Sequence, residues 1–264
     1  MKSHLAIVLC ILAGCALPPA PTKQEMASFH AENTQLGYDD PRPMFKALFP
    51  YGTPLRKEEL ETQGEYKARL QKLGYEGKEF TFLIAPKYCK IMAYPDKGFY
   101  VIAADETFYM GYDALHKPYG ITIDRIDEEP RHYVGQNAYG ATAEVSSYSA
   151  TILQIAPVDF LSLPRPLRWT DGDSTSFGRF GLPIRIADPA FRQKLKEQKI
   201  GLVVRVRVAD LAKMDFNLQH SSATITDPVG LSYTKPLLPV VLLDAWIVDI
   251  DTNISLVHWR GEKG

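Results

Sequence analysis

The chain has 264 residues, of which 45% are hydrophobic and 23% charged, close to a globular average and long enough to bury a substantial core in one large domain or two small ones. Lys+Arg number 30 against Asp+Glu at 31. That balance excludes the basic stripe that nucleic acid demands and offers no polybasic patch for a membrane surface.

In chain order, Lys2 supplies a positive start and Leu5 to Ala13 is an unbroken apolar run of nine residues. A spanning helix needs roughly 20 such residues, so the run fits a removable export signal rather than a span. The small residues Ala13 and Gly14 then precede Cys15. Leu12-Ala13-Gly14-Cys15 resembles the lipobox of bacterial lipoproteins. The resemblance covers about the first 20 residues and implies that Cys15 is lipidated and becomes the first residue after cleavage. Residues 1–14 are then the signal peptide, and Ala16 in place of Asp implies sorting to the outer membrane. Loss of Lys2 leaves 29 basic against 31 acidic residues, a net charge of −2, so attachment rests on acyl chains at about 0.8 kcal/mol per buried methylene. Cys10 leaves with the signal and Cys89 stands alone, so no internal disulfide is expected; Cys89 reads as a small buried hydrophobe in a strand.

Residues 15–39 are expected to be the lipidated Cys and a flexible tether, extended at Pro18, Pro19 and Pro21, with a short helix at 23–34. A single domain is expected at 40–262. Prolines 41, 43, 50 and 54 predict an irregular wrap held by Met44, Phe45, Leu48 and Phe49. The clearest helix is 63–73: Thr62 and Glu65 fit a capping box, Tyr66, Leu70 and Leu73 share a face, Glu65 and Arg69 form an i,i+4 pair, and Gly74 stops it. Strands follow at 78–85, 88–94 and 99–103, the last two forming a hairpin around Pro95-Asp96-Lys97-Gly98. Residues 105–120 read as irregular. Further strands are expected at 121–126 and 143–155, with Gly135 to Gly140 as a turn whose Tyr133 and Tyr139 could rim a ligand or partner site.

Residues 157–183 look least regular, with strand character returning from Phe180 to Ile186. A helix capped by Asp188, with Pro189 first and Phe191 and Leu195 inward, ends at Gly201. The cleanest amphipathic strand is 202–208: Leu202, Val204, Val206 and Val208 face the core, while Val203, Arg205 and Arg207 face water. Leu237 to Ile250 reads as a central strand, turning at Asp251-Thr252-Asn253 into 254–259. The predicted fold is therefore α+β and β-rich, a mostly antiparallel sheet or β-sandwich with two or three short helices.

The chemical motifs are thin. Asp171-Gly-Asp173-Ser-Thr175 resembles the DxDxT nucleophile motif of haloacid-dehalogenase-type phosphatases, but the strand before it and the βα alternation are lacking. As a calcium loop it has Ser176 where the sharp turn needs Gly. His30, His116, His132, His220 and His258 show no metal-ligand spacing, and His220-Ser221-Ser222 lacks a nucleophile elbow. Arg205 and Arg207 read as cross-strand partners for acidic neighbours. No catalytic, cofactor or metal residues are expected; the one site residue is Cys15, for lipid. The lipobox and this absence predict a non-catalytic binding or assembly module of the cell envelope, with the membrane and an envelope protein as partners and no nucleic acid. The alternatives are an envelope hydrolase using Asp171, Asp173 or Glu144, and a subunit of a secretion or conjugation apparatus that pairs edge strands with its neighbours.

Overall fold

A computed structural model describes residues 29–30, 33–94, 98–104, 108–109, 120–136, 139–158, 163, 167–170, 177–185, 189–224 and 226–261. Among these residues the strands are β1 (Phe29–His30), β2 (Glu79–Ile84), β3 (Cys89–Tyr94), β4 (Phe99–Ala104), β5 (Phe108–Tyr109), β6 (Ile121–Asp127) and β7 (Arg131–Gln136). There follow β8 (Thr142–Pro157), β9 (Arg168–Thr170), β10 (Phe177–Arg185), β11 (Ile200–Val208), β12 (Asp215–Ser221), β13 (Val229–Asp249) and β14 (Ile254–Arg260). The helices are α1 (Arg42–Leu48), α2 (Gln63–Lys72) and α3 (Pro189–Lys196).

The spine is β13, a strand of 21 residues. Along one edge run β11, against residues 240–249, and β12, against 231–237. Along the other run β14, against 244–249, and β8, against 229–240. β1 adds to β14, β2 to β11, and β6 and β7 lie end to end on the far edge of β8. The second sheet is β3–β4–β10, with β5 and β9 on β10. The fold is thus β-rich α+β with three short helices, and its one departure from antiparallel pairing in the large sheet is β8 with β13.

Burial follows the period-2 alternation of the strands. Leu202, Val204, Val206 and Val208 are buried with Phe82 and Ile84 of β2, Leu238, Val240 and Ile247 of β13, Ile102 of β4, and Phe180 and Leu182 of β10. Met44, Phe45 and Leu48 of α1 and Tyr66 and Leu70 of α2 close the same core. Each such large side chain contributes about 1.5–3 kcal/mol. Cys89 is half-buried against this core, its Sγ 3.5 Å from the Ile84 carbonyl.

Several expectations need correction. Residues 29–30 form a strand where a helix was expected at 23–34, and the described part of the segment assigned to the tether is bound to the domain: Leu36 N–H donates to Asn253 O (3.0 Å), and Asp39 N–H donates to Thr81 O while Thr81 N–H donates to Asp39 Oδ2 (2.8 and 2.7 Å). Residues 42–48 are helical because Pro41 and Pro43 occupy the cap and first turn, where the missing N–H is no loss. The four apolar residues named there are buried as expected. The Thr62–Glu65 capping box is present, but Arg69 bonds Glu61 (2.9 Å) rather than Glu65, whose carboxylate is committed to Thr62. α3 ends before Gln198, which itself takes a positive φ of 54°; Gly201 lies within β11. Val203 faces a second small cluster with Trp246 and Val248 under Leu36 and Tyr38, not water. Gly135 and Gln136 belong to β7, and the irregular stretch 157–183 contains β9 and the start of β10.

Candidate functional site

Beyond the second sheet, the large sheet continues as four strands in the order β7–β8–β13–β12. The change is written in the alternation. The core-side positions of β13 read Leu242, Val240 and Leu238 under the second sheet, then Pro236, Thr234, Ser232 and Gly230. Those of β8 read Ile155 and Leu153, then Thr151, Ser149 and Ser147. Hydroxyl residues replace aliphatic ones where cover ends; Thr keeps the stiff, strand-favouring backbone that β-branching gives, at little desolvation cost.

The root of this extension is fixed by the turn Pro50–Gly52. Gly52 has φ +77°, and a Cβ there would sit 2.8 Å from Thr234 Cγ2. Tyr51 before it takes φ 57°, a left-handed conformation uncommon for an aromatic residue, and stands fully exposed. Arg56 then lies 5.8 Å over the Phe216 ring of β12.

Further out, large apolar residues face solvent on both sides. Register places Tyr133 and Leu218 (54% and 68% exposed) on the core side and Val134 (68%) and Tyr148 on the other, with Tyr139 (96%) at the turn. Polar neighbours are tied locally: His132 Nδ1 lies 3.1 Å from Ser146 Oγ, His220 Nε2 lies 3.1 Å from Ser222 Oγ, and Arg125 stacks 5.2 Å over Tyr233. Among the described residues neither of these His–Ser pairs has a carboxylate partner that would orient the ring.

At the other end of the spine a buried carboxylate gathers partners from the neighbouring strands. Asp244, 1% exposed, accepts from Arg205 Nε (2.8 Å) across β11 and from His258 Nε2 (2.8 Å) across β14, with Arg260 Nε at 3.8 Å. The Trp246 ring stacks on His258 at 4.8 Å between centroids. The expected acidic partner of Arg205 is therefore Asp244, while Arg207 stands opposite Glu79. Three strands converge on one carboxylate, and the arrangement reads as a clamp. The signal in sequence was a lone acid inside the apolar run Leu242–Trp246.

Of the other candidates, Glu144 is exposed opposite Val134 on the extension. Cys15, Asp171, Asp173, Thr175, Ser176, Asp188 and His116 lie outside the described residues, and of His30 only the strand backbone is described. Among the described residues no three His, Cys, Asp or Glu gather as a metal site, and no helix is long and apolar enough to cross a membrane. No protein-family model, curated protein or solved structure matches this chain.

Proposed function

We propose that the chain is an exported lipoprotein, held through Cys15 to the cell envelope at the periplasmic face of the outer membrane, and that it acts as a non-catalytic binding or assembly module docking an envelope protein on the β7–β8–β13–β12 extension. The observation that carries the reading is the exposure of Tyr133, Val134, Tyr148 and Leu218 on a sheet that has left its core. Large apolar side chains left exposed on a sheet without a covering layer are what a docking partner can bury.

Position supports it. β1 enters at Trp259 of β14, which lies beside Ala245 of the spine, whereas the extension is reached at Thr234. Between those two points runs about 36 Å of strand at about 3.3 Å per residue. The first described strand and the docking surface thus lie toward opposite ends of β13. A second reading, a subunit of a secretion or conjugation apparatus, is favoured by the outer edges of β7 and β12, which have no strand partner among the described residues and suit edge-strand addition.

The test uses the full chain in intact cells, with a photo-crosslinking residue at position 133 or 134. A discrete adduct with an envelope protein, lost from the position-134 chain on Tyr133→Glu, supports docking; no adduct at either position refutes it. In parallel, Cys15→Ser should abolish acyl labelling and release the protein from membranes, and persistent acylation refutes the anchor.

A further inference from the structure

Natural sheets guard their edges with Lys, Pro, a bulge or a cover, because an open row of N–H and C=O groups templates another strand. β2 is guarded: Asp39 bonds Thr81 through backbone and side chain. β12 is not. Its seven residues pair with β13 without a register shift, and no strand covers its outer edge among the described residues. Past Asp215 it carries no Lys, Arg, Asp, Glu or Pro, and Leu218 at its centre is 68% exposed.

Two observations fix which groups point outward. Phe216 N–H donates to its neighbour's Asp215 Oδ1 (2.8 Å) rather than to β13. Phe216 also stands opposite Pro236, which has no N–H, so this pair fits a position without ladder bonds between the strands. By alternation Phe216, Leu218 and His220 aim N–H and C=O away from the sheet.

The order Phe216-Asn217-Leu218-Gln219-His220 is self-complementary when reversed: aromatic, amide, aliphatic, amide, aromatic. We infer that β12 is a self-association edge, on which two copies of this chain join antiparallel about a two-fold axis at Leu218. In that register Leu218 meets its own copy, Phe216 meets His220 and Asn217 meets Gln219. The first two sets fall on the core side of the sheet and the amides on the other. A two-fold interface needs this kind of pattern, since one patch must serve both partners. The outward residues supply four backbone hydrogen bonds at once, two of them across the axis at Leu218. Two more, from the Phe216 amides, form once Asp215 lets go. The like-on-like amide and aromatic pairs add cross-strand contacts of the usual kind. This inference rests on the edge alone and is independent of the lipid anchor and of docking at Tyr133.

The test is disulfide trapping of the full chain in intact cells under mild oxidation. Antiparallel neighbours lie about 4.5–5.5 Å apart at Cα, within disulfide reach. Leu218→Cys should give a reducible dimer of twice the chain mass. Chains carrying Asn217→Cys and Gln219→Cys should crosslink to each other when co-expressed and far less when either is expressed alone. That reciprocal pattern is specific to this register. Leu218→Pro removes the axial N–H donors, which point to solvent, and should weaken association by about tenfold or more in the Asn217→Cys with Gln219→Cys pair. Leu218→Lys, which leaves the backbone unconstrained, should act likewise by placing two charges on the axis. Absence of the Leu218→Cys dimer overturns the proposal. So do equal yields from the mixed and the single chains, or trapping unaffected by both Pro and Lys.

Discussion

Replacing Asp244 by Ala deletes the acceptor on which three strands converge, and the structure sets the size of the effect. His258 has a side chain 7% exposed and loses the acceptor of its Nε2–H, at about 1–3 kcal/mol for a buried donor left unmade. Arg205 has a side chain 44% exposed, so it turns to water and forfeits no more than about 1 kcal/mol of pairing. The full 3–5 kcal/mol for orphaning a buried charge does not apply, because the cation left behind is not buried. The expected loss is therefore about 2–3 kcal/mol. With a slope of about 2–3 kcal/mol per molar for a domain of this size, the urea midpoint falls by about 1 M. Asp244→Asn keeps an oxygen facing His258 and should lose about 1 kcal/mol. Tryptophan fluorescence is the readout, since Trp246 stacks on the His258 ring. If Asp244→Ala shifts the midpoint by less than a quarter of the expected amount, or Asn is as damaging as Ala, the clamp reading is wrong.

Two further outcomes follow from local geometry. Gly52→Ala puts a methyl 2.8 Å from Thr234 Cγ2 at a φ of +77°, so it should destabilise by about 1–3 kcal/mol in the same urea assay, whereas Gly37→Ala, with open space around it, should be near neutral. The Arg69 guanidinium bonded to Glu61 lowers that carboxyl from 4.5 to about 2. A depressed folded value means that the pair's contribution is full above pH 4.5 and is lost as pH falls toward 2. The protection factor of the Glu58 amide, which donates to the Glu61 carboxylate, should fall across that window in the native chain, and Arg69→Gln should move the fall to higher pH.

How much of this was legible depended on whether the signal was local. The Thr62–Glu65 capping box lies within one turn, and the β3–β4 and β13–β14 hairpins within a few residues of their turns. The apolar alternation of β11 needed no partner to be recognised. α1 was hidden because Pro41 and Pro43 read as breakers until their place at the helix start is known. Val203 looked like a solvent position because the small cluster that covers it comes from Leu36 and Tyr38, about 165 residues earlier in sequence. The first half of β13 was masked by Pro236, which ordinarily argues against a central strand. It is tolerated here because β8 makes no pair with Lys235 or Pro236. β12 was missed because Phe216 and Leu218 share their strand with polar residues on both faces.

Those last two misses have one cause, and it bears on what the extension is for. A strand is recognised by the contrast between a dry face and a wet one, and that contrast exists only where a second layer covers the sheet. Past Thr234 and Thr151 the cover stops, and with it the contrast. The residues there are chosen for pleat and hydrogen bonding rather than burial. A sheet continued so far beyond its core gains little from the hydrophobic effect. Its four strands are held by ladder hydrogen bonds, by the Gly52–Thr234 packing at the root and by Arg56 on Phe216. Exposed Tyr133, Val134 and Leu218 bring such an element no stability in the isolated chain and leave it prone to association. They make physical sense when something else supplies the missing layer. In the proposed arrangement a second copy across β12 would complete the sheet laterally, while the proposed partner on Tyr133 would cover it from above. The two contacts use different atoms, backbone groups at one edge and side-chain faces at the other, so occupying one leaves the other open.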